Sequence, residues 1–538
     1  MTAETLLINA NVRTMDLAHP QTDAVLIRNG RIAALGAAAH RLASLEARMI
    51  DCGGRLVLPG FQDAHIHLLN GGTDLVETAQ LYDATTLAEL QAALGDHVSR
   101  WTGEMFWGAG WQCGFFGDAN LTRDVLDVVV PDRPCVIYDG NFHNACLNSF
   151  ACTMVGIRDD TPDPLNGHIV RDANGRATGM LHEEAINWAT QSLPETSDET
   201  LKLGLRSGQD HANRHGITGI IDPWIVDRHV RIYGAAEQAG ELTMRVAGAM
   251  LVTAADTVET ALARLTALRA RHSTRDFHLN AAKFFLDGGL ENRTAAMIEP
   301  YIGGGKAPLM FAPDHIAALF TALDAARFQI HVHCIGDMAT RAALDGFQAA
   351  RAANGAWPSL HQIAHVEVVH PDDQKRFGEL GVMANMQPLW ATNDPIIPEP
   401  TWTMVGPARM AQVYPFRSLI DAGAPWCVSS DWAVTTLSPF EIIGAAVTRE
   451  PPRRRGRAEV FTPLERITVE EAVMGYTTGA AAACWRGNYT GRIALGYSGD
   501  VIVLDRDIFA CDPHDIAETG VLLTLFQGRD VHHHPSFA

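Results

Sequence analysis

LPGFQDAHIHLLNGG, from Leu58 to Gly72, is the stretch on which the fold turns. An apolar run ends in two histidines one residue apart, and a glycine-containing loop follows. Strand side chains alternate in direction, so His65 and His67 project to one face, where two imidazoles can share a metal ion. The carboxyl end of an apolar strand, just before a loop, is where a barrel of alternating strands and helices presents its reactive residues. Two polar residues at an ordinary strand end would look the same when taken alone.

Outward from this stretch, apolar runs alternate with helical ones. GITGIID (216–222), LNAAKFFLDGG (279–289), FQIHVHCIGD (328–337), HQIAHVEVV (361–369), GVMANMQ (381–387) and APWCVSSDW (424–432) read as strands, separated by helical stretches such as ALFTALDAARF (318–328). Strand then helix, repeated at this length, predicts an α/β fold, a TIM-like (β/α)8 barrel, over residues 61–484. Residues 74–187, rich in Trp, Gly and turn signals, break the repeat and read as an insertion after the first barrel strand. Both ends are β-rich: TLLINANVRTMD, AVLIRNGRIAALG with an Asn29-Gly30 hairpin signal, and RLVLPG at the start; GRIALG, DVIVLDRD and VLLTLFQGRDVHHH at the end. Residues 1–60 and 485–538 are therefore expected to form one small composite β-sandwich.

The chain has 538 residues, 47% hydrophobic and 19% charged, with Lys+Arg 42 against Asp+Glu 62 and a net charge of −20. Such a surface repels phosphate backbones and anionic lipid, which argues against nucleic-acid and membrane partners. The basic run PPRRRGR (451–457) reads as a solvated loop. The N-terminal sequence shows neither a signal peptide nor a transmembrane span, and nine scattered cysteines without a C-x-x-C pair suit a reducing compartment. A cytoplasmic location and a homo-oligomeric assembly, a dimer, are expected.

Further ionisable residues end later candidate strands: Lys283, His333, His365 and Asp431. Each has a dull explanation alone. Together with His65 and His67 they give six donors converging on one barrel mouth, and burying so many polar groups without a metal is costly.

The set resembles the amidohydrolase superfamily. Longer phrases resemble its branch of YtcJ-like proteins and N-substituted formamide deformylases: LPGFQDAHIHL, VVPDRPCVIYDGNFHNACLNSFA, DANGRATGMLHEEA, AAKFFLDGGLENRTAAM, HVHCIGDMA, VSSDWAVTTLSPFEIIGAAVTRE, ITVEEAVMGYTTGAAAA and GDVIVLD, in order along nearly the whole chain. The resemblance implies that His65, His67 and Asp431 hold a buried divalent ion, that His333 and His365 hold a more exposed one, and that Lys283 bridges both. An ammonium cannot ligate a cation, so the bridge requires a carboxylated Lys283. A mononuclear site with Lys283 as a plain cation is the alternative.

Zinc is the expected metal. It would lower the pKa of water toward ~7 and polarise a carbonyl, while Asp431 moves the proton from water to the leaving nitrogen. The substrate implied is a small amide: an N-substituted formamide, an anilide or an N-acyl amine. The resemblance also points to His143 as a catalytic or carbonyl-binding residue, and Trp111, Phe115 and Arg293 are candidate pocket residues. His331 shares a face with His333 one layer deeper and reads as a core residue; His532 to His534 read as an edge strand, and Cys334 points away from the site. The other functional readings are a mononuclear deaminase or an ester or carbamate hydrolase on the same scaffold, and an inactive binding or scaffold protein, whose signature would be missing ligands.

Overall fold

The computed structural model describes residues 4–81, 83–111, 121–139, 144–164, 167–290, 293–393, 404–410, 412–452 and 459–537. The chain divides into two compact units, Met1–Leu68 with Gln209–Ala538, and Leu69–Gly208. Among the described residues no helix is long and apolar enough to cross a membrane.

The larger unit is organised around eight strands in sequential order: β1 (Phe61–Asp63), β2 (Ile217–Ile225), β3 (Arg245–Leu251), β4 (Phe277–Phe285), β5 (Gln329–Cys334), β6 (Gln362–His365), β7 (Met383–Met386) and β8 (Trp426–Val428). Every adjacent pair is parallel. The strands are almost wholly buried, as parallel strands covered on both faces must be. The ring is drawn shut by two backbone bonds past the strand ends: the Asp431 N–H donates to the His65 carbonyl at 2.9 Å and the His67 N–H to the Trp432 carbonyl at 2.6 Å. The crossover helices begin on signals the chain supplies. Pro313, Pro371 and Pro439 each open one, where a missing N–H goes unneeded.

The two ends of the chain form two sheets. In the first the order is Arg31–Leu35, Val25–Arg28, Glu4–Ile8, Arg48–Asp51. Its hairpin turns at Asn29 (φ 51°) and Gly30 (φ 74°), both left-handed, as the Asn-Gly pair favours. In the second, Arg529–His533, Val521–Phe526, Val501–Leu504, Leu56–Pro59, Asn11–Arg13 and Gln21–Thr22 lie side by side, so strands from both termini pair directly. One apolar core joins the sheets, with Leu7, Val25 and Ile50 from the first and Val57, Val503 and Leu525 from the second. GRIALG (491–496) is not a strand. Gly491 and Gly496 adopt φ near +80°, and the segment is held by single bonds, from the Ile493 N–H to the Thr14 carbonyl and the Gly496 N–H to the Ile32 carbonyl. His532 and His533 do lie on an edge strand, and each spends a ring nitrogen on a main-chain carbonyl.

The smaller unit holds a six-stranded mixed sheet in the order Gly167–Arg171, Ala177–Glu183, Asn144–Leu147, Cys135–Asp139, Phe106–Trp111, Thr78–Gln80, with two apolar clusters built on its strands. It extends beyond 74–187 because glycines fasten its flanking helices together: a Cβ on Gly72 would lie 2.1 Å from the Gly204 carbonyl oxygen, and one on Gly204 would lie 2.3 Å from Thr73 Oγ1. Asp163 ties one of its loops, accepting from His168 Nδ1 at 2.6 Å, the Ile169 N–H and Arg171 Nη1. The His168 bond, foremost, holds the Asp163 carboxyl down to about 2. A depressed carboxyl stabilises the fold above its unfolded value and loses that effect on acidification. We expect the contribution, under about 1 kcal/mol for so exposed a group, to fade between pH 3.8 and about 2 and to be absent in Asp163→Asn, as read by acid unfolding.

Candidate metal centre

The strand ends of the barrel place the chemistry. His65 and His67 follow β1, Lys283 lies near the end of β4, His331 and His333 on β5, His365 closes β6, and Asp431 follows β8. His65 Nε2 is 3.6 Å and His67 Nε2 3.4 Å from Asp431 Oδ1. The His65 and His365 rings are 5.1 Å apart, and those of His365 and His333 4.4 Å. Lys283 is fully buried among them, its Nζ over the Phe285 ring at 4.5 Å. Its charge acts on His65, His331, His333 and His365, and the Asp431 carboxylate acts on it.

Burial sets the protonation states. It holds His65 and His365 well below the usual histidine range and His333 at about 3, with Lys283 adding to the effect in each case. These imidazoles are therefore neutral at pH 7 with a lone pair to donate, the state a metal ligand requires. Burial likewise brings Lys283 down to about 7 against the pull of Asp431.

The donor set fits a divalent cation. One ligand atom each of His65, His365 and Asp431 lies within 4.8 Å of the others. Among the described residues, buried Lys283 Nζ and His333 Nε2 have no hydrogen-bond partner, a costly arrangement for polar atoms unless something else satisfies them.

Several groups that the sequence reading passed over hold this cluster in place. Asp63 accepts the N–H groups of His65 and Ser430, each at 3.1 Å, and so joins the ends of β1 and β8. Gln387 accepts the His365 N–H at 2.8 Å and donates to Asn385 and Ser429. These bonds fix two residues in the left-handed region, His365 (φ 78°) and Asp431 (φ 59°), a conformation costing about 1–3 kcal/mol each that persists only where the surroundings enforce it. His331, expected in the core, is fully buried and meets the cluster: its Nε2 lies 2.9 Å from His65 Nδ1, which leaves His65 Nε2 toward Asp431.

Asp287, 3.9 Å from His333 Nε2, accepts the N–H groups of Ala296, Ile335 and Gly336. A Cβ on Gly336 would fall 2.1 Å from the Ala296 carbonyl oxygen. Gly336→Ala is expected to force this loop outward, lowering stability by about 1–3 kcal/mol in denaturant unfolding.

Of the remaining candidates, Trp111 and Arg293 lie among the described residues. Trp111 is fully buried in an apolar cluster of the smaller unit, with Leu81, Leu90 and Phe106, the packing role rather than an open wall. Arg293 is exposed in the turn after β4, at φ 55°, beside Met404 and Tyr301. Phe115, His143 and most of PPRRRGR lie outside the described residues. Two aromatic side chains not picked out from the sequence stand at the mouth: Trp224, on β2, has its ring 6.4 Å from that of His67 and 5.4 Å from that of Phe285.

A parallel barrel with imidazoles, a lysine and an aspartate gathered at its carboxyl end defines a metal-dependent hydrolase. Residues 48–532 match the amidohydrolase family, and the chain belongs to it. It is 27% identical over 541 residues to the N-substituted formamide deformylase of Arthrobacter pascens, covering 97% of each chain, and 27% identical over 525 residues to the YtcJ protein of Bacillus subtilis (strain 168), covering 95% and 96%. Among solved structures it is similar to a metal-dependent hydrolase from Pyrococcus furiosus, with 26% identity and a TM-score of 0.77 over 94% of this chain and 100% of that one.

Proposed function

We propose that this amidohydrolase cleaves a linear amide-type carbon–nitrogen bond, that of an N-substituted formamide, an anilide or an N-acyl amine. Two divalent cations, zinc by preference, are held in one cluster. The observation that carries the two-ion reading is Lys283: a fully buried amine without a hydrogen-bond partner, among neutral imidazoles and one carboxylate. Carboxylation of its nitrogen would turn an unpaired cation into an oxygen donor. In this reading His65, His67 and Asp431 hold one ion, His333 and His365 the other, and Lys283 contributes to both.

The bound cations supply Lewis acidity, which acidifies water and polarises a carbonyl. The residues do the rest. Asp431, fixed by its backbone bond to His65, accepts a proton from water and returns it to the departing nitrogen, since an amine leaves only once protonated. His331 keeps the His65 ring in one orientation, and Asp63 keeps the β1 and β8 ends at a constant separation. The N-substituted formamide relative supports trying formamides first.

The test is turnover of N-substituted formamides, anilides and N-acyl amines by zinc-loaded protein, with release of the free amine as the signal. The lysine reading gives a separate expectation. Only the neutral amine attacks carbon dioxide, so at fixed dissolved carbon dioxide the rate at which metal-stripped protein regains activity once zinc is added should rise through about pH 7, by about tenfold between pH 6 and 8. A rate that is flat over this range would remove the carboxylated lysine.

A further inference from the structure

At the foot of the barrel, the end away from the metal cluster, a cavity of about 270 Å³ opens between the barrel strands and the terminal sheets. Arg245 opens β3, and Arg275 and Asp276 stand just ahead of β4. Arg31 follows the Asn29-Gly30 turn of the first terminal sheet, and Gln527 lies in the turn between Val521–Phe526 and Arg529–His533 of the second. All five line the cavity, and no aliphatic residue does.

Three guanidiniums therefore border one small space, and none is fully engaged. Arg245 is 4% exposed; its Nη1 pairs with Asp500, its Nη2 donates to Ser498 Oγ at 2.7 Å, and its Nε has no hydrogen-bond partner, with Asp276 Oδ1 3.5 Å away. The exposed Arg31 guanidinium makes a single bond among the described residues, from Nη1 to the Gly496 carbonyl at 2.8 Å. That of Arg275, also exposed, makes no hydrogen bond or ion pair there and lies over the Tyr489 ring at 5.3 Å. A fourth, Arg486, is fully buried and bonded to the carbonyl of Val246, the residue after Arg245, so that the two charges repel. The carboxylates beside them are already occupied. Asp276 accepts from Gln527 Nε2 at 2.9 Å, and Asp500 accepts from Ser498 Oγ and the Gln527 N–H. Four cations are thus gathered around Asp276 and Asp500, in a chain whose net charge is −20. An oxyanion among them would relieve the repulsion.

We propose that this cavity binds a small hydroxylated phosphomonoester, its phosphate held between Arg31, Arg245 and Arg275. The guanidinium fork matches the spacing of phosphate oxygens. The volume, room for roughly nine water molecules, exceeds what a phosphate group fills, and the polar walls of Asn29, Gln527 and Tyr489 suit a hydroxylated tail rather than an acyl chain. The acidic surface elsewhere does not oppose this, because salt at 0.1 M confines its field to about 10 Å.

The test is calorimetric titration of zinc-loaded wild type, Arg275→Ala and Arg31→Ala with glycerol 3-phosphate, inorganic phosphate and glycerate. Glycerol 3-phosphate is expected to bind the wild type at one site per chain, more tightly than the other two, and at least about tenfold more weakly in each variant. Both replaced side chains are exposed, so the melting midpoints should stay near that of the wild type. Absence of binding to the wild type overturns the proposal. Binding that is equal in the variants belongs to another site, the metal cluster included, and overturns it as well. Inorganic phosphate bound as tightly as glycerol 3-phosphate overturns the organic tail, and glycerate bound as tightly overturns the phosphate.

Discussion

Asp431→Asn is expected to lower kcat by about a thousandfold, equivalent to about 4 kcal/mol of barrel-mouth chemistry, with a thermal midpoint close to that of the wild type. Two observations make the fold insensitive to the change. The residue is held by its own backbone N–H, which bonds to the His65 carbonyl and is kept by asparagine. Its left-handed backbone at φ 59° is a region that asparagine enters readily. The carboxylate, by contrast, lies beside both β1 histidines and is able to carry a proton, with Oδ1 within 3.6 Å of each. An amide of the same shape neither accepts that proton nor supplies the negative charge. Steady-state kinetics and a melting curve on the same preparation check the prediction, and undiminished turnover would remove Asp431 from the chemistry.

The second large effect is expected at Lys283. In Lys283→Ala, bound metal should fall from two ions per chain to one or none, and turnover should drop by at least about a hundredfold. The fold should survive. Removing a buried amine without a hydrogen-bond partner relieves an unfavourable desolvation that offsets part of the cavity it leaves. Lys283→Met, close to the native volume, separates the two contributions: it should recover stability without recovering metal. If metal content and turnover were both unchanged in the alanine variant, Lys283 would be a structural cation and the two-ion reading would fail.

The fold was legible in the sequence wherever a strand announced itself by an apolar run with a charged or imidazole residue near its end, as in β4 with Lys283, β5 with His333 and β6 with His365. Strand β3, RVAGAML, carries no such mark. Small residues fill much of it, and the alternation that signals a strand is weak there. The residues that gather at the barrel mouth could be picked out for the same reason as the strands, since they end them. Their supports could not. Asp63 acts on the backbone of Ser430, 367 residues away, and Asp287 on the N–H groups of Ile335 and Gly336 past the next strand, so neither pattern exists until separate strands have come together. Trp224 is a different case: it stands two residues beyond the GITGIID run, and the rule that singled out Lys283 and His365 sought ionisable residues, which a tryptophan is not. The aromatic residues chosen instead came from the Trp- and Gly-rich segment of the insertion, where Trp111 serves that unit's own core.

In the function proposed, the imidazoles, Asp431 and Lys283 hold divalent metal without which the amide bond is not cleaved. The direct measurement is a titration of metal-stripped protein with zinc in bicarbonate, following amine release from an N-substituted formamide. Activity is predicted to be absent at the start and to climb to a plateau at two ions per chain. Full turnover by protein shown to carry no metal would contradict the account.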